Sequence, residues 1–457
     1  MLVFIVAVFI LGYACIALEH PLKVNKTASA LLLGVILWTI YALSQSYFGS
    51  AMSTEEWRTA LSGSLVHHLG STAEIVFFLL GAMTIVTLVD EYEGFRIITQ
   101  YVKTRNKKKL MWILSFITFF LSAVLDNMTT AIVMCALLRK LIADQKERWL
   151  FAGIIIVAAN AGGAWSPIGD VTTIMLWIGG QVTTINIMVK TLIASLVCMI
   201  VPVAICASTL KGEVVMSDVK YGGVKIEKRW RNLIFFVGIG ALVFVPVFKT
   251  ITHLPPYLGM LFGVGILWIL TEIISRKFST ENTGTLPTTT QTLEHIDTPT
   301  VLFFLGILMA VACLETCGAL GLLANGLNGT FMGIKAGDEP IGFFIIDLII
   351  GVLSSIIDNV PLVAAAMGMY PLGDGAMFAT NHPFWEFLAY CAGTGGSLLI
   401  IGSAAGVAVM GIEKIDFIWY LKKISWLALV GYIAGAIVFI AMDITLFETI
   451  PWLRDLA

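Results

Sequence analysis

The stretch Leu110-Met-Trp-Ile-Leu-Ser-Phe-Ile-Thr-Phe-Phe-Leu-Ser-Ala-Val-Leu-Asp-Asn-Met-Thr-Thr-Ala-Ile-Val-Met-Cys-Ala-Leu-Leu138 is apolar around one Asp-Asn pair and basic on both flanks. Before it, residues 96–109 carry Arg96, Lys103, Arg105, Lys107, Lys108 and Lys109; after it come Arg139, Lys140, Lys146 and Arg148. An excess of Lys and Arg marks the cytoplasmic side of a membrane protein, so both ends of the stretch belong on one side. Entering and returning as two full spans takes about 40 residues, more than 110–138 supplies. The stretch therefore reads as a re-entrant helical hairpin with arms reaching about 20 Å at 1.5 Å per residue. Its tip holds Asp126 and Asn127 near mid-membrane.

The same figure recurs at 341–371, whose tip holds Asp358, Asn359 and Pro361. Its flanks (Lys335, Asp338 and Glu339 before; Asp374 and His382 after) lack a basic excess, so this hairpin enters from outside. Apolar stretches long enough to span fall at 1–18, 27–48, 71–90, 150–180, 185–210, 232–248, 256–275, 300–323, 385–411 and 424–442. The loop 211–231, with Lys211, Lys220, Lys225, Lys228, Arg229 and Arg231, reads as cytoplasmic; 49–62 and 371–384 read as outward-facing. The region 276–299, rich in Thr and Ser, reads as a further cytoplasmic loop. Each half then has five spans and one hairpin in opposite orientations. The expectation is an all-α polytopic membrane protein of two inverted repeats, with broken helices at mid-membrane. The first repeat is 1–210 (hairpin 110–138, broken span 150–180), the linker 211–231, and the second repeat 232–457 (hairpin 341–371, broken span 385–411).

The repeat is visible in the letters. Ala123-Val-Leu-Asp-Asn127 matches Ser355-Ile-Ile-Asp-Asn359, Gly163 to Asp170 matches Gly396 to Ser403, and Phe77-Phe78-Leu79 matches Phe303-Phe304-Leu305, all at nearly the same offset. Half-chain repetition with reversed topology is a usual architecture of secondary transporters.

Composition agrees. Of 457 residues, 58% are apolar and 13% charged, whereas a soluble domain runs near 45–50% and about 25%. Net charge is −2, with no basic field to attract nucleic acid. The seven cysteines all lie in apolar stretches, without the spacing of a zinc site or a disulfide framework. Residues 1–18 are apolar without a basic n-region, which reads as a first membrane helix rather than a cleaved signal, and neither end carries a lipidation motif.

Ionisable groups at membrane depth are costly and face a cavity or a partner. The tips supply Asp126 and Asp358, each followed by Asn; Thr129 and Thr130 share a helix face with Asp126. The spans that follow each hairpin are interrupted. Asn160-Ala-Gly-Gly-Ala-Trp-Ser-Pro-Ile-Gly-Asp170 holds Gly162, Gly163, Pro167 and Gly169, and the second half answers with Gly393-Thr-Gly-Gly-Ser397 and Gly402-Ser403. Such runs unwind a helix and expose backbone groups, tolerable at depth only where they line a site; the rival reading is close packing between helices. Asn160, Ser166, Asp170, Thr172 and Thr173 from the first break and Thr394, Ser397 and Ser403 from the second supply oxygens that suit a hard cation. No His or Cys accompanies them, which argues against a catalytic zinc or iron. Up to three negative charges (Asp126, Asp170, Asp358) gather with no Lys or Arg in the motifs, so the metal site is read as these three aspartates. The same oxygens hold a proton or a metal ion, not both at once, and that competition suffices for antiport. Glu74 and Glu315, in matching spans, are candidates for a proton path or for structural hydrogen bonds.

Ser122-Ala-Val-Leu-Asp-Asn-Met-Thr-Thr130, the run Asn160 to Thr173 and Ser354-Ser-Ile-Ile-Asp-Asn-Val-Pro361 resemble the NhaD family of sodium/proton antiporters, in the ion transporter superfamily. The resemblance covers essentially the whole chain. It implies exchange of Na+ or Li+ for H+ across a bacterial inner membrane, with no cofactor. It also implies a homodimer with a scaffold and an elevator-like transport domain carrying both hairpins. Family positions carry over to Asp126, Asn127, Asn160, Asp170, Thr172, Thr173, Ser354, Asp358, Asn359, Thr394 and Ser397. The dicarboxylate branch has Ser-Asn-Thr at both tips, where this chain has Asp-Asn. The alternative within the superfamily is sodium-coupled uptake of an anion such as citrate or arsenite. An enzymatic alternative, an intramembrane aspartyl protease using Asp126 and Asp358 as a dyad, lacks the Gly-x-Gly-Asp context and leaves the repeat unexplained, so the chain reads as a transporter and not an enzyme.

Overall fold

The computed structural model describes residues 1–447 apart from 100, 101, 103, 216–225, 282–285, 337, 338, 357 and 374–376. One element order is run through twice. In the first pass come α1 (Leu2–Ala17), α2 (Lys26–Leu43), α3 (Thr54–Glu91), a hairpin of α4 (Lys107–Leu125) and α5 (Asn127–Leu141), a broken helix of α6 (Gln145–Ala164) and α7 (Val171–Ile178), and α8 (Thr184–Thr209). In the second come α9 (Lys228–Thr252), α10 (Pro256–Glu281), α11 (Thr298–Thr316) with α12 (Ala319–Phe331), a hairpin of α13 (Gly342–Leu353) and α14 (Asn359–Met369), a broken helix of α15 (Pro383–Gly395) and α16 (Ala404–Glu413), and α17 (Ser425–Met442). Short helical turns and a small ribbon pairing Lys335–Ala336 with Glu339–Pro340 fill the connections. Among the described residues, eight helices are long and apolar enough to cross a membrane.

The chain packs as two compact units. Unit 1 comprises Met1–Leu79, Asp297–Ile346 and Val360–Ala379; unit 2 comprises Leu80–Ile296, Asp347–Asn359 and Thr380–Ala457. Each draws on both halves of the chain, so the packing boundary does not follow the boundary expected between the repeats. Within unit 1, α2 lies on α11, where Thr27 Oγ1 donates to the Pro299 carbonyl at 2.9 Å and Trp38 Nε1 to that of Met309 at 2.8 Å.

Unit 2 is built around the two broken helices. α6 is buried continuously from Phe151 to Ala164, and α15 from Phe384 to Gly395. At one end Arg148 and Trp149, from the start of α6, reach Glu413 at the end of α16: Arg148 Nε lies 3.1 Å from the carboxylate and Trp149 Nε1 donates to the carbonyl at 2.9 Å. At the other end Asn381, just before α15, donates its backbone N–H to the carbonyl of Gln181, just past α7, at 2.8 Å. The two broken helices therefore run side by side in opposite directions, the relation that an inverted repeat requires.

Several expectations change. The hairpin arms of the first repeat hold 19 and 15 residues, about 28 and 22 Å at 1.5 Å per residue, because Asn106 caps α4 ahead of its lysines and α5 runs on to Leu141. The stretch read as an outward loop over 49–62 is helical from Thr54, started by a capping box in which Ser53 and Glu56 exchange side-chain bonds with each other's backbone N–H. The span at 300–323 breaks at Gly318, whose φ of +80° favours glycine. The loop expected at 276–299 is largely helix: α10 continues to Glu281, and Thr289–Glu294 forms a further turn capped by Thr288. Arg139 and Arg148, two of the basic flank residues, both pair with Glu413. Unit 2 takes the whole first hairpin but only the segment Asp347–Asn359 of the second; Ile357 and Asp374 lie outside the described residues.

Candidate ion-binding site

Gly162 and Gly163, expected to unwind their helix, remain helical, and α6 runs to Ala164. Their service is close approach. A Cβ on Gly162 would sit on the Phe119 carbonyl of α4, and one on Gly395 would sit on the Gly351 carbonyl of α13. The hydrogen bonds repeat likewise: Ser122 Oγ donates to the Ala159 carbonyl at 2.6 Å, and Ser354 Oγ to that of Ala392 at 2.8 Å. Each hairpin is thus laid against the broken helix of its own half by the same device, and each break lies beside a hairpin tip.

Each break ends in an N-cap. Asp170 caps α7, its Oδ1 accepting from Thr172 N at 2.9 Å and Thr172 Oγ1 at 2.8 Å. Ser403, at the matching place, caps α16 by accepting from Gly406 N at 3.1 Å. Asp126 caps α5, accepting from Thr129 N at 2.8 Å and Thr129 Oγ1 at 2.6 Å. Its φ is +94°, a strained setting for a residue with a Cβ and one that recurs at functional sites.

Asparagines join these caps. Asn127 Nδ2 donates to Asp170 Oδ2 at 2.6 Å and to Asn160 Oδ1 at 3.0 Å; Asn359 Nδ2 reaches Asp170 Oδ1 at 3.3 Å. Asn160 Nδ2 donates to Ser397 Oγ and Ser403 Oγ, both at 2.9 Å. Asp170, 1% exposed, is therefore reached from both tips, while Asp126 and Asp358 are half-buried. Asp170 is the middle charge, within electrostatic range of each of the others.

The structure brings Asn127, Asn160, Asp170, Thr172, Asn359 and Ser397 into one bonded network, with Asp126 and Thr129 beside it. Thr173 is fully buried next to Asp170, and its Oγ1 has no hydrogen-bond partner; Thr130 Oγ1, one turn from Asp126, is the same. Those two hydroxyls, with the carboxylates, are the oxygens a hard cation would take up. Ser354 Oγ donates to the Ala392 carbonyl of the neighbouring helix, and Thr394 Oγ1 to the Tyr390 carbonyl one turn back in its own helix at 2.6 Å. Among the described residues, no three Asp, Glu, His or Cys side chains converge as a metal centre. The Asp126 carboxylate is turned back onto the first turn of its own helix. Glu74 and Glu315 belong to unit 1, and the residues of the network to unit 2.

Sequence reasoning passed over three buried ionisable residues of unit 2. Lys190 lies 3.9 Å from Glu386, and Asp347 is fully buried with neither carboxylate oxygen hydrogen-bonded. The signal was present, since each is a charge inside an apolar run.

A family model described as citrate transporter matches residues 1–393. The chain is 46% identical over 442 residues to sodium/proton antiporter 1 of Arabidopsis thaliana, covering 96% of this chain and 72% of that protein. It is 31% identical over 466 residues to the Na(+)/H(+) antiporter NhaD of Vibrio cholerae, covering 95% and 91% respectively. Among solved structures, the YdaH transporter of Alcanivorax borkumensis matches with a TM-score of 0.60 at 12% identity, over 91% of this chain and 98% of that one, a likeness of fold.

Proposed function

The chain belongs to the citrate transporter family and, within it, to the NhaD-type sodium/proton antiporters, and on that premise we propose that it exchanges Na+ or Li+ for H+ across a cell inner membrane. The observation that carries the reading is Asp170, buried at a helix N-cap and reached by the asparagines of both tips. Asp126, Asp170 and Asp358 are the exchanging carboxylates, two at a time at most around one ion. Asn160 and the hydroxyls of Thr129, Thr130, Thr172 and Thr173 complete the oxygen shell. A proton on a carboxylate removes the charge that holds the cation, and a bound cation excludes the proton; loading one ion unloads the other. Unit 2, which carries the whole network, is assigned the transport role, in a homodimer.

The test uses inside-out vesicles with an acid-inside pH gradient and a fluorescent pH probe, to which Na+, Li+, K+ and citrate are added in turn. Collapse of the gradient by Na+ or Li+ alone, lost in Asp126→Asn, is the expected result. Uptake of citrate or arsenite that tracks sodium, with no cation-driven collapse, would move the chain to the anion carriers and overturn the reading.

A further inference from the structure

Glu386 stands in the first turn of α15, fully buried, with no hydrogen bond to either carboxylate oxygen. Lys190 of α8, 3% exposed, brings Nζ to 3.9 Å from Oε2. A buried ion pair that serves only to hold helices together needs direct hydrogen bonds to offset the loss of water around both charges. This one leaves the carboxylate without them. It is also no part of the repeated frame: the residue matching Glu386 in the first half is Gly153, packed against Ile424.

Its place on the helix has a direction. His382, Glu386, Tyr390 and Thr394 recur every four residues, which sets them along one face of α15. His382 caps the helix, accepting from Phe384 N at 3.1 Å. Thr394 lies in the last turn of α15, and Ser397, in the break that follows, accepts from Asn160 of the ion network. The charged groups acting on this region are Lys190 from α8, on Glu386 and on His382, and Asp443 from beyond α17, on Glu386.

We propose that Glu386, countered by Lys190, is a second proton-binding site of unit 2, lying between the outer end of α15 and the ion network and loaded in step with it. A proton arriving from water on Glu386 makes the neutral acid and leaves Lys190 as the ammonium; its departure restores the pair. Only an O–H bond is made and broken. The proposal rests on the antiport reading above.

The experiment compares wild type, Glu386→Gln and the double variant Glu386→Gln/Lys190→Met in proteoliposomes, in two assays. One is 22Na+/Na+ counterflow at equal pH, which needs only the ion network; the other is Na+-driven proton movement, with the H+/Na+ ratio read from the potential that nulls the flux. Expected are counterflow within twofold of wild type in both variants, and proton movement at least tenfold slower or with a lower H+/Na+ ratio in both. Wild-type rate and ratio in Glu386→Gln overturn the proposal. If Glu386→Gln fails to fold, the double variant decides, because it leaves no unpaired buried charge: normal proton movement there shows the pair to be structural and overturns the proposal. Absence of counterflow in wild type would instead defeat the antiport reading.

Discussion

At the scale of single residues, Asp126 combines two demands that are seldom met together: a φ of +94° and an N-cap. Asn tolerates positive φ better than most residues with a Cβ and caps helices as well as Asp does. Asp126→Asn should therefore fold and insert normally while abolishing Na+-driven gradient collapse. Asp126→Ala forfeits the cap as well, at about 1 kcal/mol, and should unfold at lower temperature in detergent; equal midpoints for the two variants would contradict the capping role. Thr173 offers the opposite separation. Its hydroxyl is buried without a partner, so Thr173→Val removes an unsatisfied group of nearly the same shape and should hold or raise the melting temperature. If that oxygen is a cation ligand, the half-saturating Na+ concentration rises about tenfold, equivalent to about 1.4 kcal/mol. Unchanged Na+ dependence would remove Thr173 from the shell.

At the scale of elements, the base of the first hairpin is fixed by one acid. Glu413, at the end of α16, pairs with Arg139 of α5 at 2.7 Å and with Arg148 of α6 at 3.1 Å, and Arg139 also donates to the Ile412 carbonyl. Breaking a buried pair costs about 3–5 kcal/mol, but Arg139 is half exposed and contributes at the lower, surface level. Glu413→Gln should thus lower stability by about 3 kcal/mol, read as a drop in thermal midpoint, with Na+ dependence of the folded fraction unchanged. The contact of α15 with α13 is less forgiving. Gly395→Ala drives a methyl onto the Gly351 carbonyl, and overpacking of this kind costs about 1–3 kcal/mol. Yield of folded protein should fall, and Gly162→Ala, against Phe119, should behave the same way because the contact is repeated.

At the scale of the whole molecule, the inversion is open to direct test. In a background with the exposed Cys15 replaced by Ala, Lys108→Cys at the base of the first hairpin and Lys335→Cys at the base of the second should be labelled by a membrane-impermeant thiol reagent from opposite sides. Labelling of both from one side would rule the inversion out. Much of this architecture was legible in the letters. Asp-Asn in an apolar run and a cluster of Gly and Pro beside Asn160 and Asp170 are rare at membrane depth, so both tips and both breaks could be placed from sequence. What escaped was of two kinds. The capping box Ser53 to Glu56 is a local signal overridden by the acidic look of its loop, whereas the pairing of Glu413 with Arg139 and Arg148 joins residues more than 260 positions apart, which no local pattern encodes. Sequence shows Arg139 and Arg148 only as members of a basic flank; the acid that holds them lies outside it.

The two break N-caps, Asp170 and Ser403, are the same position of one frame carrying different chemistry. The frame around them is held by Gly162, Gly395, Ser122 and Ser354, none of which bears a charge. Helix N-termini left without an acidic cap attract anions through their free N–H groups. A chain with hydroxyl caps at both breaks and no aspartate at either tip would therefore present a lining that welcomes a carboxylate. On the proposed reading, the sign of the cargo is written in a handful of acidic side chains rather than in the architecture, so cation exchange and anion uptake could share one frame.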